Sequence, residues 1–391
     1  MKTDYEYIVA GCGGIGSGAL YWLSREAGGD VLGLERFRLG HDYGGSQDHS
    51  RIIRLSYHDP AYTALSPHTF EAWHTVEEES GERLVVKTGG LDLEQVAGEP
   101  RYVDRYAGAM AHAGIAHDVL SGPEVMERFP QFSLDENVRA VYQEDAGLVD
   151  AAMANATHVA LARGRGATVV EEAPVSGVRV VGDSVEVETP QGTFSGRRLL
   201  VAAGSWTNDV IRHLGREIPL TVTEEQVTYF AAPELEQFAP GRFPVWIWHG
   251  GPDYTFYGLP AYGLPGPKAG QDVGGDVVTP EDRALEPNPR ILATLRGFLE
   301  KHIPGFVGPE LLTKPCLYDM PPDREFVLGP LPDTPQVVVG CGAGHGYKFA
   351  SFMGRMLADI ALRGETRYPI DAFALDRPAL TDPDYQPVFA M

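Results

Sequence analysis

The sequence predicts a mixed α/β (α+β) fold in which a Rossmann-like domain is interleaved with a smaller domain built on an antiparallel sheet. Three observations predict it. The chain has 391 residues, too many for one ordinary core and suited to two domains. At its start the apolar run Tyr7 to Ala10 meets a glycine turn, GCGGIG (Gly11 to Gly16), then a helix-like segment and a second apolar run, VLGLE, closed by Glu35. From Pro219 to Phe230, and again from Phe243, residues alternate at the period of long strands. No linker, charge block or internal repeat separates the halves, so residues 1–85, 147–215 and 320–391 are assigned to the first domain, and 86–146 with 216–319 to the second.

Composition narrows the function classes. A formal charge of -22 argues against nucleic acid, whose phosphates such a surface repels. No apolar run reaches the length of a membrane span. Three cysteines (Cys12, Cys316, Cys341) make no disulfide framework, which points to a reducing, cytoplasmic setting. The first residues lack the basic and apolar regions of a signal peptide, and PVFAM at the end carries no address.

The glycine turn assigns a first role. Gly11 makes the tight turn, Gly13 lets the backbone approach a pyrophosphate, and Gly16 permits close packing. Unpaired N–H groups at the helix N-terminus suit a phosphate, and Glu35 suits ribose hydroxyls. Dinucleotide binding follows, with FAD and NAD both open and NADP disfavoured. Next, GGSQDHSRIIR (Gly44 to Arg54) carries Arg51 and Arg54 behind a small polar loop. An arbitrary RxxR is surface, but a guanidinium just after the ribose acid is placed to clamp a carboxylate.

Pro60 to Gly81 reads as a helix with Leu65, Ala72, Trp73 and Val76 in the core, and LVVKTGGLDL (Leu84 to Leu93) as a strand pair. Tyr102 to Phe132 reads as helical, with a capping box at Ser121 to Glu124. A helix ending near Gly164 follows, and then LLVAAGSW (Leu199 to Trp206), a buried strand whose end at Gly204 lets backbone come close to a ligand. In the aromatic stretch Trp246 and Trp248 share one strand face, Tyr254 and Phe256 another, with Tyr257 opposite; such rows are usually core, though any could line a pocket. Lys268 falls in a Gly/Pro-rich loop, where solvent exposure is the ordinary expectation. Ile291 to Phe306 forms an amphipathic helix.

Near the C-terminus KPCLYDMPPDREFVLG (Lys314 to Gly329) offers Cys316, and GCGAGHGYKF (Gly340 to Phe349) offers small residues, His345 and Lys348 at a helix start. A lone cysteine is usually a small buried hydrophobe, a description that fits Cys12 and Cys341; beside Cys316, Lys314 could favour a thiolate. Behind Lys348 the stripe Phe349, Phe352, Met353, Met356, Leu357 and Ile360 is core.

GCGGIG, SRIIR, KTGGL, LLVAAGSW, FYGLPAYG, Cys316-Leu317-Tyr318 and GHGYKF, in that order over nearly the whole chain, resemble the monomeric sarcosine oxidase and N-methyltryptophan oxidase family of flavin amine oxidases. The resemblance implies an FAD-binding domain interleaved with a substrate domain, and FAD held covalently through Cys316. It implies that Lys348 and Arg54 hold a substrate carboxylate, that Arg51 lies beside the flavin, and that Lys268 activates oxygen. Tyr257, Tyr318 and His345 match pocket residues, His345 being either a base or, more simply, a hydrogen-bonding wall. Cofactor contacts are implied at Gly14, Ile15, Arg36, Ser46 and Gln47, at Val175 near the adenine, at Gly204 and Trp206, and at Gly342, Gly344 and Gly346. Departures fall on the amine side: Gln47 and Asp48 stand where histidines are common, Gly270 to Asp272 where a histidine is often near the substrate, and Glu224-Glu225 replaces a more neutral or basic pattern.

The expected function is oxidation of an N-methyl or cyclic secondary amino acid to an imine, with oxygen reduced to hydrogen peroxide by a monomer. A flavin dehydrogenase of a secondary amine or glycated amino acid shares every motif except a working Lys268. A nicotinamide dehydrogenase would leave Cys316 and GHGYKF without purpose.

Overall fold

The computed structural model describes residues 2–96, 102–250 and 255–388. Its first sheet is centred on Asp4–Ala10, which runs parallel to Val31–Leu34 on one side and to Gly192–Val201 on the other. Thr168–Val170 extends it beyond Val31–Leu34, and Thr334–Cys341 extends it beyond Gly192–Val201, both parallel. From Tyr7 to Ala10 and from Val31 to Leu34 every residue is buried, as expected of parallel strands covered on both faces. Helices Gly14–Ala27 and Ala350–Arg363 pack on each other over this sheet, and Phe349, Phe352, Met353, Met356 and Leu357 sit in the core.

The second sheet contains Thr221–Phe230 paired along its length with Glu310–Met320, which sets Cys316 opposite Glu225. Lys268–Asp272, Thr255–Leu259, Val245–His249, Gly90–Gln95, Val138–Gln143 and Asp118–Ser121 follow in order away from Thr221–Phe230. Every one of these pairings is antiparallel except Val245–His249 with Gly90–Gln95, which is parallel, so the expected antiparallel sheet is in fact mixed. A small third sheet sets Gly147–Val149 between Arg51–Ile53 and Val85–Lys87.

Two further expectations are corrected, and a third is decided. The segment read as helical from Tyr102 ends at His112, and Asp118–Ser121 is a strand because an open edge at Val138–Gln143 is there to pair with it; the capping box does open the short helix Gly122–Arg128. Trp246 and Trp248 are core, the ordinary expectation for such a row, and do not line the cavity. Both are buried against Phe298 of the helix Pro289–His302, at ring separations of 5.9 and 5.3 Å. Phe256 stacks on the same ring at 4.2 Å, and Tyr254 lies outside the described residues. Lys268 is not a loop residue in solvent: it opens a strand and is 1% exposed.

Candidate active site

A cavity of about 1480 Å³ runs from the glycine turn to the second sheet. Gly11 has φ +91, and a Cβ there would lie 2.5 Å from the Ala202 carbonyl oxygen, so the first turn tolerates only glycine. Gly13, Gly14 and Ile15 line the cavity. Gly16 does not; it packs beneath, where a Cβ would meet the Gly11 carbonyl oxygen at 1.8 Å. Ser46 Oγ accepts from the Gly14 N–H at 2.9 Å. The Glu35 carboxylate accepts from the N–H groups of Cys12 (2.8 Å) and Phe37 (3.0 Å), which fixes it at the cavity edge with lone pairs to spare. Arg36 lies over Trp206 and pairs with Asp209 and Glu281. Val175, Gly204 and Trp206 line the same end.

In the middle of the cavity stand Cys316, Arg51 and Lys268. Burial pushes the Cys316 thiol up to about 12, against the pull of Arg51 and Lys268. Lys314 is ion-paired with Asp42 Oδ2 at 3.1 Å, and the cations that act on the thiol are Arg51 and Lys268. Lys268 Nζ donates to Asp48 Oδ2 (2.9 Å) and to the Ser50 carbonyl (2.5 Å). Asp48 also accepts from the Tyr229 hydroxyl at 2.6 Å and has Arg51 at 3.6 Å. Burial alone would raise the Asp48 carboxyl, but Lys268 and Arg51 outweigh it and hold it well below the usual range.

At the far end Arg54, Lys348, Tyr257, Tyr318 and His345 come together. Arg54 is ion-paired with the buried Asp92, which accepts from Ser56 and from His249 (2.9 Å) as well. Tyr57 and Tyr106 face the guanidinium at 5.0 and 5.5 Å. Asp272 forms a bidentate pair with Arg324 at 3.1 and 3.2 Å. Lys348 differs: Nζ donates to the His345 carbonyl at 2.8 Å, and among the described residues no carboxylate pairs with it. Burial, helped by Arg54, brings Lys348 down to about 7. Burial and the nearby Lys348 hold His345 neutral, its ring bonded to the Arg324 carbonyl at 2.9 Å. A Cβ added to Gly344, whose φ is +76, would lie 2.7 Å from the Tyr318 ring, so the turn from Gly342 to Gly346 is wedged against the tyrosine.

Sequence reading missed Asp92, Arg324, His249, Tyr57 and Tyr106 as site residues. Asp92 carried one usable signal, an acid at a position of KTGGLDL that alternation buries. Asp48 and Asp272 were visible only as departures from the family pattern.

The residues fit an FAD. The cavity joins the glycine turn to a chamber with unspent polar atoms: among the described residues, Gln47 Oε1, Ser50 Oγ and Arg54 Nε are buried without a hydrogen-bond partner. Gln47 is meanwhile anchored by its Nε2 on the Pro315 carbonyl (2.7 Å), one residue before Cys316.

Residues 6–360 match the family model described as DAO, FAD dependent oxidoreductase. The chain is 34% identical to the monomeric sarcosine oxidase of Streptomyces avermitilis, with 95% of this chain and 97% of that one covered. It is 28% identical to the N-methyl-L-tryptophan oxidase of Yersinia pestis, over 96% of this chain and 99% of that one. Among solved structures, the open form of NikD, an unusual amino acid oxidase essential for nikkomycin biosynthesis, superposes with a TM-score of 0.83 at 27% identity, covering 95% of this chain and 98% of that one.

Proposed function

The chain belongs to the FAD-dependent oxidoreductase family, and from that premise we propose that it oxidises the C–N bond of an N-methyl or cyclic secondary amino acid to the imine. Oxygen is the acceptor and becomes hydrogen peroxide. The observation that carries the reading is Lys348, a buried amine brought down to about 7 that no carboxylate among the described residues pairs with, in the same chamber as Arg54. A free α-carboxylate completes that charge balance. Sarcosine and N-methyl-L-tryptophan, after which the two relatives are named, share this carboxylate beside a methylated amine and support the class.

The first sheet is the cofactor side and the second the substrate side. Gly11, Gly13, Gly14 and Ile15 of the first turn, Glu35 and the Gly342–Gly346 turn would hold FAD, and Cys316 Sγ would be its covalent anchor. When bound, FAD supplies a two-electron acceptor for the substrate C–H bond. The chain's own residues do the rest. Lys348 and Arg54 fix the carboxylate and thereby the position of the carbon to be oxidised. Tyr257, Tyr318 and the neutral His345 wall the chamber and exclude water. Lys268 provides positive charge on the side where oxygen is reduced, an effect enlarged by its dry surroundings. All three cysteines are unpaired, which suits work in the reducing cytoplasm, and the relatives named monomeric sarcosine oxidase support a monomer.

An anaerobic panel of secondary amino acids, followed by loss of flavin absorbance, tests the reading. Sarcosine, N-methylated larger amino acids and cyclic imino acids should include one that bleaches the protein, with equimolar peroxide on readmitting air; no bleaching by any of them rejects it. Intact-mass analysis tests the bond at Cys316 separately: the parent should carry the added mass of the flavin nucleotide and Cys316→Ser should not.

A further inference from the structure

Asp48 holds a backbone conformation that few side chains adopt, with φ +83 inside the cavity wall. Its surroundings over-determine it. The backbone carbonyl accepts from the Ala152 N–H at 3.0 Å. One carboxylate oxygen takes the Tyr229 hydroxyl at 2.6 Å, and the other takes Lys268 Nζ at 2.9 Å with Arg51 Nη1 3.6 Å away. Both side chains of the Asp48–Lys268 pair are 1% exposed. Strain kept in place by so many contacts belongs to a working site more often than to a linker.

We propose that Asp48 is the positioning residue for Lys268: its carboxylate, clamped by Tyr229 and Arg51, keeps the Lys268 amine both fixed and protonated in the cavity wall. A buried amine with no counter-ion sheds its proton rather than stay charged. Apart from Asp48, Lys268 has only the Ser50 carbonyl as a hydrogen-bond partner among the described residues. The groups facing it are few. Arg51, from the strand Arg51–Ile53, repels the ammonium, and Cys316, from Glu310–Met320, opposes that only as a thiolate. Tyr229, from Thr221–Phe230, and Tyr257, from Thr255–Leu259, are both pushed up by burial and stay neutral. Burial brings Lys268 down to about 8 even with Asp48 in place, so the carboxylate is what separates a charged lysine from a neutral one near neutral pH. The kinetic consequence rests on Lys268 being the oxygen-side cation proposed above; the protonation itself does not.

The chain has only six lysines, so the flavin-loaded protein labelled with 13C at lysine Cε gives a countable spectrum, in which Lys268→Met identifies the Lys268 signal. In the parent the signal should titrate near 8. In Asp48→Asn the midpoint should fall by about one pH unit or more. Asp48→Gly, which suits the left-handed backbone, should do the same and separates lost charge from altered strain. Reoxidation of the reduced protein should slow about fivefold near pH 8 in both variants, and the deficit should close as the pH is lowered; a purely structural defect would persist at every pH. An unchanged Lys268 midpoint in both variants overturns the proposal. If Lys268→Met reoxidises as fast as the parent, the oxygen-side role of Lys268 fails instead, and the titration still decides the role of Asp48.

Discussion

Arg54 and Asp92 form a buried ion pair at the end of the cavity that Lys348 and Tyr318 line, with side chains 10% and 2% exposed. The pair neutralises one arm of the expected carboxylate clamp in advance. Lys348, by contrast, has no carboxylate within ion-pair distance among the described residues and feels Asp272 and Asp92 only from further away. Burial would lower the Arg54 guanidinium and raise the Asp92 carboxyl, and their mutual attraction reverses both shifts.

Removing one member of such a pair leaves the other buried and unpaired. Asp92→Asn should cost about 3–5 kcal/mol of stability, measured by urea unfolding. Replacing both members together, Arg54→Met with Asp92→Leu, should cost less than Asp92→Asn alone. Equal or greater loss in the double variant would mean that the surrounding Ser56 and His249 bonds, rather than charge, hold this end together.

Lys348 should make anion binding pH-dependent. Its free-state midpoint lies near 7, and only the protonated form attracts a carboxylate. Above that midpoint the Kd of an amine-free carboxylic acid such as propionate should rise about tenfold per pH unit, because binding must then supply a proton. Flavin absorbance changes on titration would report it. Lys348→Met should weaken the same ligand about a hundredfold near pH 6 and flatten the pH profile, whereas His345→Asn should keep the profile, since His345 is already neutral across this range.

Lys268→Met divides the two half-reactions. Flavin reduction by substrate should keep a rate within about threefold of the parent, while reoxidation by oxygen should slow by about two orders of magnitude or more, the scale for removing a positioned charge from a dry site. Stopped-flow traces of each half measured separately give the answer. Equal slowing of both would assign Lys268 to holding the cavity together through Asp48 and Ser50.

The glycine turn was legible because its constraint is steric and local: Gly11 and Gly16 meet backbone atoms that no Cβ can share, and the motif records this directly. The apolar runs of Val31–Leu34 and of Leu199 to Val201 at the end of Gly192–Val201 were equally plain, since a strand covered on both faces has one composition. Lys268 was not. Its Gly/Pro neighbours describe a loop, and only pairing with Tyr229 and Leu259 in adjacent strands draws it inside. Asp92 and Arg324 were hidden for the same reason, because their partners Arg54 and Asp272 lie 38 and 52 residues away. Charge compensation across such separations leaves no local pattern. The tryptophans were legible: alternation assigned them to one face, and the usual expectation that such a row is core holds because the helix Pro289–His302 packs on that face.

His158 gives the stability of the cofactor side a pH dependence of its own. It is fully buried between the rings of Tyr21 and Trp73, and its two nitrogens bond the hydroxyls of Ser17 (3.2 Å) and Ser351 (3.1 Å). Burial lowers it to about 3 from its ordinary value of 6.5. In the folded chain it is neutral; in the unfolded chain it takes up a proton as pH falls below 6.5. Its contribution is thus fully present above that value and is lost on the way down towards 3, at about 1.4 kcal/mol per pH unit. Between pH 7 and pH 5 this one residue should remove about 2 kcal/mol from the unfolding free energy. His158→Gln keeps a side chain able to reach both serines but cannot take up the proton. Urea unfolding at pH 7, 6 and 5 should show the variant less stable than the parent at pH 7 and the gap narrowing by about 2 kcal/mol at pH 5; parallel losses in the two proteins would place the acid sensitivity elsewhere.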